Sequence, residues 1–191
     1  MARKGGFTLV EMIVTLVIAI IIIGVSGSLI ITGTNIFTKS AQKDRQMDIA
    51  ETVLSFAVDR LLYAESISER TPSPTGASAG YAGAQGAVLH IINPDTNTGG
   101  NRGQLYFRRA GDSGYPVNVF GAGFYHNYLV AINYDIERPG SGGASVTVTV
   151  TLYNSSRPEE AVAERSSTKP LLNYTGEAKT LGGSTAYIDI Y

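Results

Sequence analysis

The chain has 191 residues, a length that favours one ordinary domain plus an appendage. Fifteen Lys+Arg against 16 Asp+Glu leave a formal charge of −1, which argues against a dedicated nucleic-acid binder, and 43% hydrophobic residues exclude a wholly disordered chain. Cysteine is absent, so there is no disulfide framework, thiolate zinc site or cysteine nucleophile.

Apolar residues concentrate near the N-terminus. No charged residue occurs from Met12 to Thr38, and Met12–Ile31 holds thirteen residues of the Leu/Ile/Val class. Each contributes about −0.3 to −0.6 kcal/mol to membrane insertion, roughly −4 to −8 kcal/mol for the run. Twenty helical residues span about 30 Å, one bilayer core. Arg3 and Lys4 precede the run, so the N-terminus is expected inside the cytoplasmic membrane and the C-terminal bulk outside. An ordinary secretory signal is the plainer alternative, since Gly24–Ser28 offers small residues for cleavage. Glu11 stands at the start of the run. An ionised group at membrane depth costs roughly 3 kcal/mol, so Glu11 either lies at the interface or has a function that justifies the cost.

Gly5-Gly6-Phe7-Thr8-Leu9-Val10-Glu11, followed by the apolar run, resembles the class III signal of the type IV pilin and pseudopilin family. The resemblance covers roughly the first 35 residues. It implies cleavage of a basic leader between Gly6 and Phe7 by prepilin peptidase, N-methylation of Phe7, and Glu11 as the family's assembly glutamate. After cleavage, Phe7 carries a cationic amine and Glu11 a carboxylate. Pairing them across subunits would relieve two charges that are costly in a low-dielectric filament core. Many family members have a proline later in this helix; here none occurs before Pro72. Gly24, Gly27 and Gly33, with Ser26 and Ser28, either soften the segment or allow close packing of neighbouring helices.

From residue 41 to 67 the period is helical. Asp44, Asp48, Glu51, Ser55 and Asp59 mark a narrow polar face, and Met47, Ala50, Val53, Leu54, Ala57, Val58, Leu61 and Ala64 a broad apolar one. One helix is expected from about Phe7 to Ser66. Thr71–Gly86 is rich in Pro, Ser, Gly and Ala and reads as a loop. The period then falls to two. Strands are expected at Ala87–Ile92, Gln104–Arg109, Val117–Phe120, Asn127–Glu137, Ser145–Tyr153 and Ala186–Tyr191, with Pro139–Gly143 turning a hairpin. Arg157–Arg165 reads as a helical turn or loop. The expected class is α+β: a long N-terminal helix, membrane-spanning then amphipathic, packed on a single antiparallel sheet. The divisions are leader 1–6, transmembrane or filament-core helix 7–38, amphipathic half 39–67, loop 68–86 and sheet head 87–191.

Other motifs have plain readings. Gly76–Gly80 matches G-x-S-x-G but lacks the strand and helix that a nucleophile elbow needs. His90 and His126 lack partners at readable spacing and read as structural. Asp95 and Asn97 begin like a calcium loop, but Tyr106 stands where the closing glutamate belongs, so a solvated turn is preferred and no metal or other cofactor is expected. Asn154-Ser155-Ser156 and Asn173-Tyr174-Thr175 fit the N-glycosylation pattern. Arg102, Arg108 and Arg109 lie among Tyr106, Phe107 and Tyr115, a combination that can grip DNA. Without the leader the balance is 13 basic against 16 acidic, and a solvated strand face is the better reading.

The expectation is a structural subunit, not an enzyme: a minor pilin or pseudopilin held in the cytoplasmic membrane before assembly and in a surface filament afterwards. Its partners are other pilins, prepilin peptidase with its methyltransferase activity, and the membrane, with no nucleic acid. The Thr-rich strand face and Ser166–Asn173 also resemble minor pilin-like proteins of some bacteria. The resemblance embraces twitching pili, secretion pseudopili and DNA-uptake filaments alike. Alternatives are a major pilin, or a membrane-anchored binding module, adhesin or DNA receptor. Glu11 discriminates, because a plain anchor has no use for a carboxylate there.

Overall fold

The computed structural model describes residues 6, 8–70, 87–91, 103–109, 117–139, 142–181 and 187–190. One helix, α1 (Leu9–Leu61), opens the chain. Among the described residues nine strands follow: β1 (Ile67–Arg70), β2 (Ala87–Ile91), β3 (Leu105–Arg108), β4 (Val117–Asn118), β5 (Tyr128–Glu137), β6 (Ser145–Asn154), β7 (Arg157–Pro170), β8 (Lys179–Leu181) and β9 (Tyr187–Ile190). A short 3-10 helix, η1 (Ala122–Tyr125), precedes β5. The class is α+β, as expected. Two compact units meet in sequence between Asp44 and Arg45.

In the first unit α1 is helical through Gly24, Gly27 and Gly33. A Cβ at any of the three would meet nothing within 4 Å, so the chain's own packing does not require glycine there.

In the second unit the apolar face of α1 is buried: Ile49, Ala50, Val53, Leu54, Ala57, Val58 and Leu61 join one core, while Asp48, Glu51, Ser55 and Asp59 stay exposed. Gln46 enters the same interface, its Nε2 donating to the Tyr128 hydroxyl at 3.0 Å. The helix stops at Leu61, five residues short of the expected Ser66. Tertiary contacts account for the stop. The Leu62 carbonyl accepts the Leu172 amide at 3.1 Å, and the Glu65 carbonyl accepts the Thr175 amide at 2.9 Å. Both carbonyls lie just beyond the last helical residue, and bonding to a distant segment holds residues 62–65 out of the helical ladder.

The strands form two antiparallel sheets, not the single sheet expected. One has the order β1-β9-β2-β3-β4 and the other β7-β6-β5-β8. The hairpin across Pro139–Gly143 is present, with β5 and β6 paired from Tyr128↔Asn154 to Glu137↔Ser145. On β6, Val146, Val148, Val150 and Leu152 are buried in the core with Val130, Ile132, Tyr134 and Ile136 of β5. Burying one face of an alternating strand pins its register, because a one-residue slip would expose the whole apolar set.

Three strands differ from the sequence reading. Arg157–Arg165, expected as a helical turn or loop, lies within the edge strand β7, paired along β6. Its Pro158 and Pro170 are tolerated because an edge strand needs only one side of its backbone in the ladder. β1 falls where the helix was expected to end, and pairs with β9 from Ile67↔Ile190 to Arg70↔Tyr187. β8 was not expected and pairs with β5 at Tyr134↔Leu181. The expected loop at Thr71–Gly86 lies outside the described residues.

Gly103 has φ +64, and its carbonyl accepts the Val130 amide at 2.8 Å. A Cβ there would sit 2.7 Å from the Leu129 Cβ, so the close approach of Gly103 to β5 requires glycine.

Candidate functional site: the first turn and apolar run of the helix

The site begins with a helix start. Thr8 precedes α1 and Glu11 lies in its first turn. The Thr8 amide donates to Glu11 Oε2 at 2.8 Å, and the Thr8 hydroxyl donates to the same oxygen at 2.9 Å. In return the Glu11 amide donates to Thr8 Oγ1 at 3.3 Å. This reciprocal arrangement is a capping box, in which residues three apart satisfy amides that the first turn leaves open. A carboxylate near a helix N-terminus also faces the positive end of the helix dipole. Glu11 therefore has an intrachain role beside the one the resemblance implies. The signal for it was in the sequence: Thr8-Leu9-Val10-Glu11 fits the S/T-x-x-E pattern before an apolar run, and the sequence reading passed over Thr8.

Among the described residues the capping box uses only part of the carboxylate. Both Thr8 donors land on Oε2, whereas an ionised carboxylate has about four acceptor positions. Capacity remains for a further cationic partner. Gly6 is exposed, and the expected cleavage and methylation position Phe7 lies outside the described residues, as does most of the leader.

Above the first turn, every large apolar side chain from Leu9 to Phe37 is exposed within the chain, from 48% at Val17 to 76% at Leu9. Burying such a side chain gains about 1.5–3 kcal/mol, so leaving this many in water would cost tens of kcal/mol. The surface needs a non-aqueous environment or other helices. The helix is long and apolar enough to cross a membrane. Four of the five hydroxyls between Leu9 and Phe37 are bonded internally. Thr15 Oγ1 donates to the Glu11 carbonyl, Ser26 Oγ to Ile22, and Thr32 Oγ1 to Ser28, all within 2.9 Å. Bonding a hydroxyl to a carbonyl one turn back removes most of the penalty for placing it in lipid or between helices.

Among the described residues the remaining candidates do not assemble into a second centre. Asp95, Asn97, the Gly76–Gly80 motif, Arg102 and Tyr115 lie outside the described residues. His90 lies in β2, opposite Tyr106 of β3 in register. His126 is exposed and caps η1 with a left-handed backbone, φ 44. Among the described residues no group of three or more His, Asp and Glu could hold a metal ion. Arg108, expected on a solvated strand face, is buried. Phe107 packs edge-on against Phe56, and Arg60 lies 5.0 and 5.1 Å from the centres of these two rings. Neighbouring strand residues face opposite sides of a sheet, so Phe107 meets Phe56 and Arg60 of α1 on one face of β3 while Arg108 is buried on the other. Among the described residues of this cluster only Arg109 is exposed. Of the two glycosylation patterns, Asn154 lies at the β6–β7 turn, its Oδ1 accepting the Ser156 amide at 3.0 Å, and Asn173 is exposed.

Residues 1–27 match the family described as the prokaryotic N-terminal methylation motif, the type IV pilin signal. The chain carries that signal, and with it the marks of a type IV pilin-like precursor. The motif implies processing by prepilin peptidase and assembly with other pilins, and it points to a structural subunit rather than an enzyme. With the apolar helix it fits a membrane-anchored precursor and a surface filament. No curated protein and no solved structure matches the chain.

Proposed function

We propose that this chain is a minor pilin or pseudopilin: a structural subunit cut between Gly6 and Phe7, methylated on Phe7, and drawn into a filament through its N-terminal helix. In this reading it waits in the cytoplasmic membrane with its N-terminus inside and its two-sheet unit outside. The observation that carries the proposal is the position of Glu11. It is the one charge between Lys4 and Lys39, held in the first turn by Thr8 with acceptor capacity to spare. In a filament core that capacity would take the Phe7 amine of an adjacent subunit, fixing the axial register of both. A charge buried without a partner costs several kcal/mol, so pairing would select the correct register strongly. The minor or pseudopilin reading is favoured over the major one by the sizeable head, which has no cysteine-closed loop.

The test is to shear surface filaments from the native host and quantify N-terminal peptides by mass spectrometry. The expected result is methylated Phe7 as a small fraction of another pilin's signal. Its appearance as the dominant species would make the chain the major subunit. An uncut Met1 or Ala2 terminus found only in membranes would overturn the filament reading and leave an anchored module.

A further inference from the structure

Charges are sparse along the first unit of α1. After Glu11 the next charged residue is Lys39. They are 28 positions apart, and a rise of about 1.5 Å per residue makes that about 42 Å. A bilayer is about 30 Å thick across its hydrocarbon and about 40–45 Å with its headgroup layers. One placement therefore sets Glu11 in the inner headgroup layer, the middle of the run near Val25 at the bilayer centre, and Lys39 at the outer headgroups. Sliding the helix outward buries Glu11 in lipid, and sliding it inward does the same to Lys39. The stretch between Ile31 and Lys39 suits an interface: Phe37 is exposed, and the hydroxyls of Thr34 and Thr38 are bonded to the carbonyls of Ile31 and Thr34.

Lys39 and Lys43 follow one helical turn apart, and both are exposed. Residues three and four apart are the neighbours that meet on a helix surface. No carboxylate stands at that spacing from either lysine. Two like charges thus share one face, with no anion supplied by helical spacing. We infer that, before assembly, Lys39 and Lys43 bind the phosphate groups of anionic phospholipids in the outer leaflet, and that this contact and Glu11 together set the depth of the span. Leaving the membrane for a filament would break the lysine–phosphate contact, so lipid composition would modulate how readily the subunit is extracted. The inference rests on the membrane-spanning precursor proposed above.

The full chain has no cysteine, so single substitutions can carry a nitroxide label at a chosen depth. The chain would be reconstituted in nanodiscs of phosphatidylcholine with or without phosphatidylglycerol. Labels at Ile18→Cys and Phe37→Cys would report depth, and native mass spectrometry would report retained lipid. The expected result is a label at position 18 within the inner-leaflet hydrocarbon, one at 37 in the outer interface, and several-fold preferential retention of phosphatidylglycerol. That preference should vanish in the Lys39→Gln/Lys43→Gln double variant and persist in Lys39→Arg/Lys43→Arg. Equal retention of the two lipids, or a preference that survives the double glutamine variant, would overturn the lysine contact while leaving the span intact. A label at 18 that is open to an aqueous relaxant would overturn the span itself.

Discussion

At Glu11 the local and the intermolecular demands can be separated by substitution. Thr8→Ala removes the cap but keeps the carboxylate. A lost N-cap costs about 1 kcal/mol, so the Glu11 and Met12 amides should exchange roughly fivefold faster, measured by hydrogen exchange on the full chain in micelles. Glu11→Ala removes both functions. The precursor should still reach the membrane but fail to enter filaments, as read by immunoblots of membrane and sheared fractions. Entry at the wild-type level would reduce Glu11 to a cap. Gly103 makes a different kind of point. Its left-handed backbone and the 2.7 Å approach of a built Cβ to Leu129 leave no room for a side chain. A non-glycine residue in that conformation costs about 1–2 kcal/mol before any clash. Gly103→Ala should therefore lower the Tm of the full chain in detergent by about 4 °C or more; an unchanged Tm would show that the contact yields easily.

Elements differ in how much of their structure is local. On α1 and β6 the periodicity of apolar residues named the buried faces, because each face is a property of one segment. Leu152 is fully buried where β6 joins the core. Leu152→Ala should cost about 2–5 kcal/mol of unfolding free energy followed by near-ultraviolet dichroism, whereas Val25→Ala, on the exposed run, should leave that unfolding of the second unit unchanged. β7 was not legible, because Glu159, Glu160, Glu164, Arg165 and Ser166 carry no strand preference. They are extended because β6 offers them a backbone ladder. β1 and β8 are too short to announce themselves and exist through β9 and β5. The packing of η1 and β5 has a pH consequence. Burial pushes the Tyr125 hydroxyl up to about 12, partly offset by the Leu105 amide donating to it at 2.9 Å. Burial also pushes Tyr134 well above the ordinary phenol range. Unfolded tyrosines lose their protons near pH 10 while these keep theirs, so the unfolded state binds fewer protons and stability falls as pH rises. Thermal melts should show stability that is level below about pH 10 and declines from about 10 to 12. Tyr125→Phe should flatten part of that decline; an identical decline would assign it to other groups.

For the whole molecule, charge and burial act together. Removal of the leader takes away Arg3 and Lys4, leaving 13 basic against 16 acidic residues. Arg108 is inside the protein. Phosphate contacts drive salt-dependent DNA binding, and the described surface has no cluster to make them around β3. The processed chain should not retard duplex DNA at physiological salt. Retardation with a steep salt dependence would locate a basic surface elsewhere.

The apolar run, the pilin signal within residues 1–27, the buried face of α1 and the β5–β6 hairpin were determined by the sequence alone. Their signals are local and additive: transfer energies along one helix, a motif read residue by residue, and a period of two across one turn. The end of α1 at Leu61, the division into two sheets, the recruitment of β7 and the burial of Arg108 were decided by tertiary structure. The first three depend on backbone partners far away in the chain, and the last on what the sheet face is packed against. Leu172 meets Leu62, and β9 lies between β1 and β2. Backbone hydrogen-bond demand is the same at nearly every residue, so the side chains of one segment do not say which distant strand will satisfy it.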